Sequence, residues 1–174
     1  HFGGDKNGFL HKADVVSSGY KPKNTPISQL VTQGEKILIQ VVRDETEHKG
    51  ARVTGFVEIS TANMVYIPHQ NYIAVSKKMS LSEREKWKEI AHKYQENQEG
   101  MLIRTEMSTK SEDFFLKELN HCREAYHALV QKMKNLKAPA LLVETNQIMK
   151  AIQREMKSGS GVLYVDEFSL FQEL

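Results

Sequence analysis

The period of the hydrophobic positions changes partway along this chain. In the first third, apolar residues come in short, β-branched runs. Lys36-Ile37-Leu38-Ile39-Gln40-Val41-Val42-Arg43 predicts a strand that is apolar on both faces, and residues 51–59 predict a second after the polar connection 44–50. Gly55 inside that second run predicts a bulge or a close backbone approach. Asn63-Met64-Val65-Tyr66-Ile67 predicts a third strand, ended by Pro68. Ahead of these, Gly3-Gly4-Asp5-Lys6-Asn7-Gly8 is a turn cluster whose hairpin needs an earlier strand to pair with Phe9-Leu10, so the chain is expected to begin inside a domain. Residues 17–26 read as a loop.

From residue 80 the spacing becomes helical. Ser80-Leu81-Ser82-Glu83 has the form of a capping box, and Trp87, Ile90, Ala91 and Tyr94 follow on one stripe. After Gly100, the run Met101-Leu102-Ile103-Arg104-Thr105 predicts a strand. Residues 111–135 then predict a long helix with a narrow seam of Phe115, Leu119, Cys122, Tyr126, Leu129 and Met133. Pro139 stops it. Ala140-Leu141-Leu142-Val143 predicts a strand, and Thr145 caps a helix carrying Ile148, Ala151, Ile152 and Met156. Ser158-Gly159-Ser160-Gly161 leads to a last strand, Val162-Leu163-Tyr164-Val165. A β-rich part followed by an α/β part makes the expected fold class α+β.

Composition narrows the function classes. A chain of 174 residues, 40% apolar and 26% charged, has the make-up of a globular domain. Its apolar runs are far too short for a membrane span, and no targeting segment is expected in its opening residues. One cysteine allows no internal disulfide and fits a reducing cytoplasm, the expected location. The net charge of +2 is small; residues 75–137 carry 13 basic against 10 acidic side chains, but the signs alternate as on a solvated helix face.

Most candidate chemistry falls away. Cys122 lies on the apolar seam between Leu119 and Tyr126 and reads as core. The histidines lack the spacing of a shared metal site. Asp44, Glu45 and Glu47 cluster in a turn, Glu112 and Asp113 suit a helix start, and Asp166-Glu167 finds no second acid in a matching context. No glycine-rich phosphate loop is present. What remains is Arg104-Thr105 at a strand end, where a planar donor fork beside a hydroxyl can grip a terminal phosphate. Phe9 and Lys49 add an aromatic and a cation of the kind with which a small β-barrel stacks bases and steers the backbone.

Gly8-Phe9-Leu10-His11-Lys12-Ala13-Asp14-Val15 resembles a motif of S1-type RNA-binding domains. Gln33-Gly34-Glu35 leading into Ile37–Val41, then Lys49-Gly50-Ala51-Arg52-Val53-Thr54, Gly100–Thr105 and Pro139–Val143 stand in the order seen in the ribonuclease E/G family, and the chain resembles that family over nearly its whole length. The resemblance implies a partial OB-type S1 barrel over residues 1–58, a 5′-sensor region over 59–157 and the start of a ribonuclease-H-like part over 158–174. It places recognition of an RNA 5′-monophosphate on Arg104, Thr105, Val65, Thr61 and Lys77, and RNA contacts on Phe9 and Lys49.

Two departures bear on that site. Thr61 stands where the family commonly has a glycine that offers a backbone amide, and Ser76-Lys77-Lys78 replaces Ser-Arg-Arg. Lysine brings a point charge without the fork. The family's catalytic aspartates and zinc-linking cysteines have no counterpart in these residues. The chain is therefore expected to bind single-stranded RNA without cutting it, as part of an endoribonuclease. The resemblance implies that this enzyme uses Mg2+ in catalysis and Zn2+ as a subunit link, and it allows a homo-oligomer of the full-length protein. Neither metal is expected in this chain. Two other readings stand beside this one. One is a generic S1-type RNA-binding module without 5′-end sensing; the other is an interaction scaffold that docks a partner on the seam of residues 111–135.

Overall fold

The computed structural model describes residues 1–16, 25–143 and Tyr164. The chain divides into two compact units, residues 1–140 and 141–174. The elements of the first unit are, in order, β1 (Phe9–Leu10), β2 (Gln40–Arg43), β3 (Arg52–Thr54), β4 (Ile59–Ser60), β5 (Met64–Ile67), β6 (Ile73–Val75), α1 (Leu81–Tyr94), β7 (Gly100–Ile103) and α2 (Glu112–Asn135), with short 3-10 turns between some of them. Helices and mixed sheets together make the fold α+β. Among the described residues no barrel closes; the strands form a three-stranded sheet, β1-β3-β2, and a four-stranded sheet, β4-β5-β7-β6.

The four-stranded sheet carries the core. On one face Met64, Tyr66, Met101 and Ile103 meet Trp87, Ile90 and Ala91 of α1 and Phe115, Leu119 and Cys122 of α2. Side chains two apart in a strand share a face, so Val65 and Leu102 are left to the opposite one. The expected seam of α2 is buried from Phe115 to Cys122 and loosens to half-buried positions at Leu129 and Met133. It closes its own domain, which removes the main support for a scaffold.

α1 starts as its sequence dictates: the Ser80 hydroxyl accepts from the Glu83 amide at 3.4 Å and the Glu83 carboxylate accepts from the Ser80 amide at 2.9 Å. Ser111 caps α2 by accepting from the Phe114 amide at 3.2 Å. Beyond the apolar core, the Arg123 guanidinium on α2 pairs with buried Glu99 and donates to the Tyr94 carbonyl at 2.7 Å, tying α2 to the connection between α1 and β7.

Several elements are shorter than expected, for one reason: a strand needs a partner. Among the described residues, only Gln40–Arg43 of the run 36–43 finds one, in β3. Residues 51–59 break into β3 and β4, which belong to different sheets. The break is at Gly55, whose amide donates to the Asp14 carbonyl at 2.7 Å and where a Cβ would lie 2.9 Å from that oxygen. The expected close approach is there, as a corner between sheets. The strand expected over 101–105 ends at Ile103, and Thr105 opens a 3-10 turn to Thr109.

Phe9–Leu10 pairs in parallel with Arg52–Val53 rather than in a hairpin. Residues 140–143 form no strand, and the helix and strand expected over 145–165 lie outside the described residues apart from Tyr164. β6 has no counterpart among the expected elements. Ile73-Ala74-Val75 is too short to show a period, and it is a strand because β7 offers an edge.

Candidate nucleic-acid interface

The parallel pairing of β6 with β7 builds the site. Ile73 lies beside Met101, Ala74 beside Leu102 and Val75 beside Ile103, so the segments leaving the two strands, Ser76-Lys77-Lys78 and Arg104-Thr105, emerge side by side. Together with Tyr72, Ala74, Leu102 and Glu106 they line an open depression of about 400 Å3. It is on the sheet face turned away from the helices, since Ile73 and Val75 pack against the core and their neighbours alternate outward.

Arg104 is held at three points. Its amide donates to the Asn63 carbonyl at 2.8 Å, one guanidinium nitrogen donates to the Thr61 carbonyl at 2.8 Å, and Ile103 before it is fully buried. Asn63 is itself fixed, its side-chain amide donating to both carboxylate oxygens of Glu118 on α2 at 3.1 and 3.0 Å. A guanidinium carries five donors, so the Thr61 contact leaves most of the fork for an anion. The Thr105 and Ser76 hydroxyls lie 2.8 Å apart, and Ser76 also accepts from the Lys78 amide at 3.3 Å. Three cations, Lys77, Lys78 and Arg104, face one acid, Glu106, across the depression. Among the described residues none of the three cations is in an ion pair.

The residues expected to form the end-recognition site fall into three positions. Arg104, Thr105 and Lys77 line the depression. Val65 is buried on the same sheet face, beside Leu102 in register. Thr61 is joined to the group through its carbonyl; its amide is already engaged with the Met64 carbonyl at 2.9 Å, in the turn between β4 and β5. Sequence reasoning misses Tyr72, an aromatic 54% exposed at the depression's rim, because a tyrosine after Asn71 and before an unrecognised strand reads as loop.

Phe9 and Lys49 belong to the other sheet. Phe9 is 60% exposed on edge strand β1. Register places it beside Arg52, and Arg52 beside Arg43, so one outward row runs aromatic, guanidinium, guanidinium. Like charges directly opposite each other across strands are unfavourable without an anion. Asp14 answers Arg52 at 3.3 Å, and among the described residues Arg43 has no ion pair. Sequence reasoning misses the two arginines because they come from different strands; only register brings them together. Lys49 is exposed in the turn between β2 and β3, where its amide and carbonyl bond Thr46.

The buried thiol is inert: burial first, and then the charge of Glu118, push Cys122 up to about 11. Among the described residues no three His, Cys, Asp or Glu side chains converge as metal ligands. No helix of the described residues is long and apolar enough to cross a membrane.

An arginine fixed at a strand end, two hydroxyls and two lysines thus line one open depression. Comparison with known proteins narrows the class. The chain is similar to "Ribonuclease E" of Nostoc sp. (strain PCC 7120 / SAG 25.82 / UTEX 2576), 28% identical over 153 residues, covering 87% of this chain and 22% of that protein. It is similar to "Ribonuclease G" of Escherichia coli (strain K12), 30% identical over 139 residues, covering 75% of this chain and 28% of that protein. The model of the Ribonuclease E/G family matches residues 58–174, and the chain belongs to that family. It spans less than a third of the length of these curated relatives.

Proposed function

We propose that this chain is the RNA-gripping and 5′-end-sensing part of an endoribonuclease, with hydrolysis performed elsewhere in the parent protein. The observation that carries the reading is the convergence of Arg104, Thr105 and Lys77 on one open depression. A terminal monophosphate offers several acceptor oxygens to the free arms of the Arg104 fork, the Thr105 hydroxyl and the Lys77 ammonium. Thr61 acts through Arg104, holding one arm of the fork, and Val65 supports the apolar strip beside it. Phe9 stacks a base, and Arg52, Arg43 and Lys49 answer backbone phosphates along the three-stranded sheet. Family membership favours RNA over other phosphorylated ligands.

The test is binding of one short single-stranded RNA with a 5′-monophosphate or a 5′-hydroxyl. Charge-assisted hydrogen bonds of roughly 1.5–3 kcal/mol predict about a tenfold or greater preference for the phosphate. Equal binding of the two ends would reduce the chain to a generic RNA-binding module.

A further inference from the structure

The phosphate accounts for only one end of the depression. Tyr72, Ala74 and Ser76 alternate along the β6 segment and so share its outward face, with Leu102 of β7 beside Ala74. The cations and hydroxyls all lie at the Ser76 end. The opposite end holds the Tyr72 ring, and between them is a strip of small and apolar side chains, Ala74 and Leu102. At about 3.3 Å per residue, Tyr72 and Ser76 are roughly 13 Å apart. That span has room for a phosphate, a ribose and a base in line.

Among the described residues the Tyr72 hydroxyl makes no hydrogen bond to the fold. Its ring is 54% exposed, while its backbone alone serves the fold, accepting from the Met101 amide at 2.7 Å and donating to the Gln70 carbonyl at 2.7 Å. An exposed aromatic beside an apolar strip, within one nucleotide's length of an anion site, is a stacking platform.

We infer that the depression binds the whole 5′-terminal nucleotide, with the base stacked on Tyr72 over the Ala74–Leu102 strip and the phosphate at Arg104. This rests on the 5′-end reading and names its ligand more closely: a 5′-phosphorylated nucleotide with its base in place. A phosphate on an end that lacks a base satisfies only half of the site. Stacking tolerates any base, since each has a π-face, and favours the larger purines.

The experiment compares three 5′-ends on one single-stranded RNA, a phosphorylated adenosine, a phosphorylated abasic residue and an unphosphorylated adenosine. Each is bound to the 174-residue chain and to Tyr72→Ala, Tyr72→Phe and Arg104→Ala. We expect the abasic end to bind the unaltered chain about fivefold or more weakly than the phosphorylated adenosine. Tyr72→Ala should weaken binding by the same factor and no longer distinguish these two ends; Tyr72→Phe should keep the distinction. The substitution removes a half-exposed ring, and a folded Tyr72→Ala binds the phosphorylated abasic end as the unaltered chain does, so loss of binding to that end reports a misfolded variant.

If phosphate preference is present and lost in Arg104→Ala, while the abasic end binds as well as adenosine or Tyr72→Ala changes nothing, the nucleotide inference is overturned and the end-sensing reading stands. If the unaltered chain shows no phosphate preference, both are overturned.

Discussion

The two sheets of this unit differ in how they are held together. The four-stranded sheet has two helices on one face and a core in which Trp87, Phe115, Met64, Met101, Ile103 and Leu119 are fully buried. The three-stranded sheet buries Ala51 and Val53 and leaves Phe9, Val41 and Val42 exposed. The difference matches what each is proposed to do. End recognition needs a fork fixed to within a fraction of an ångström, and Arg104 is fixed to a cored sheet and, through Asn63, to α2. Gripping a strand needs charge and an aromatic face at the surface, and a thin sheet supplies those.

The largest effects should separate the two by stability. Phe115→Ala removes a fully buried ring that packs 6.0 Å from Trp87 and should cost about 3–5 kcal/mol in urea unfolding. Val53→Ala, the corresponding cut under the three-stranded sheet, should cost about 1.5 kcal/mol by reduced methyl burial. Equal losses would mean that one shared core supports both sheets. Arg123→Ala strands the Glu99 carboxylate, which is 6% exposed, and should cost about 3 kcal/mol. Its unfolding signal should come from the helices and Trp87.

Smaller effects concern RNA. Arg43→Ala with Arg52→Ala should leave the 5′-end preference unchanged. It should flatten the dependence of log affinity on log salt by about 0.7 for each phosphate no longer neutralised. Arg104→Ala should do the reverse, abolishing the end preference with little change of slope beyond that of its single phosphate. A loss of end preference in the double variant would merge the two surfaces into one.

The smallest effect is the helix ends' response to acid. Hydrogen bonds from Ser80, chiefly from its side chain, hold Glu83 below the ordinary carboxylate range, and those from Lys93 and then Tyr94 do the same for Glu112. A carboxyl lowered in the folded state stabilises it above the unfolded value of about 4.3, and that contribution is lost as pH falls through the lower folded value. Circular dichroism on acidification from about pH 5 should show helix ends loosening in that window. Glu83→Gln should remove part of the dependence.

Much of the cored half is legible in the sequence, because its signals are local. The capping box at Ser80, the Trp87–Tyr94 stripe and the Phe115–Cys122 seam each follow from spacing within one segment. Strand partners are not local. Residues 36–39 have the composition of a strand and no strand partner among the described residues, while Ile73–Val75 has little signal and a partner in β7. The same limit governs the candidate site. Arg104 and Thr105 are conspicuous as adjacent residues at a strand end. Tyr72 and the Phe9–Arg52–Arg43 row exist only through pairing between distant segments. Thr61 is singled out in the sequence only through the family resemblance, and its carbonyl hold on Arg104 is a fact of the fold.

End recognition is tested most directly by nuclear magnetic resonance of the arginine side chains as RNA is added. A phosphate seated at Arg104 predicts that its Nε–H resonance shifts with 5′-monophosphate RNA and stays in place with 5′-hydroxyl RNA. Arg43 and Arg52 should shift with both. An Arg104 resonance that is unmoved, or that moves equally for the two ends, would contradict end recognition at this site.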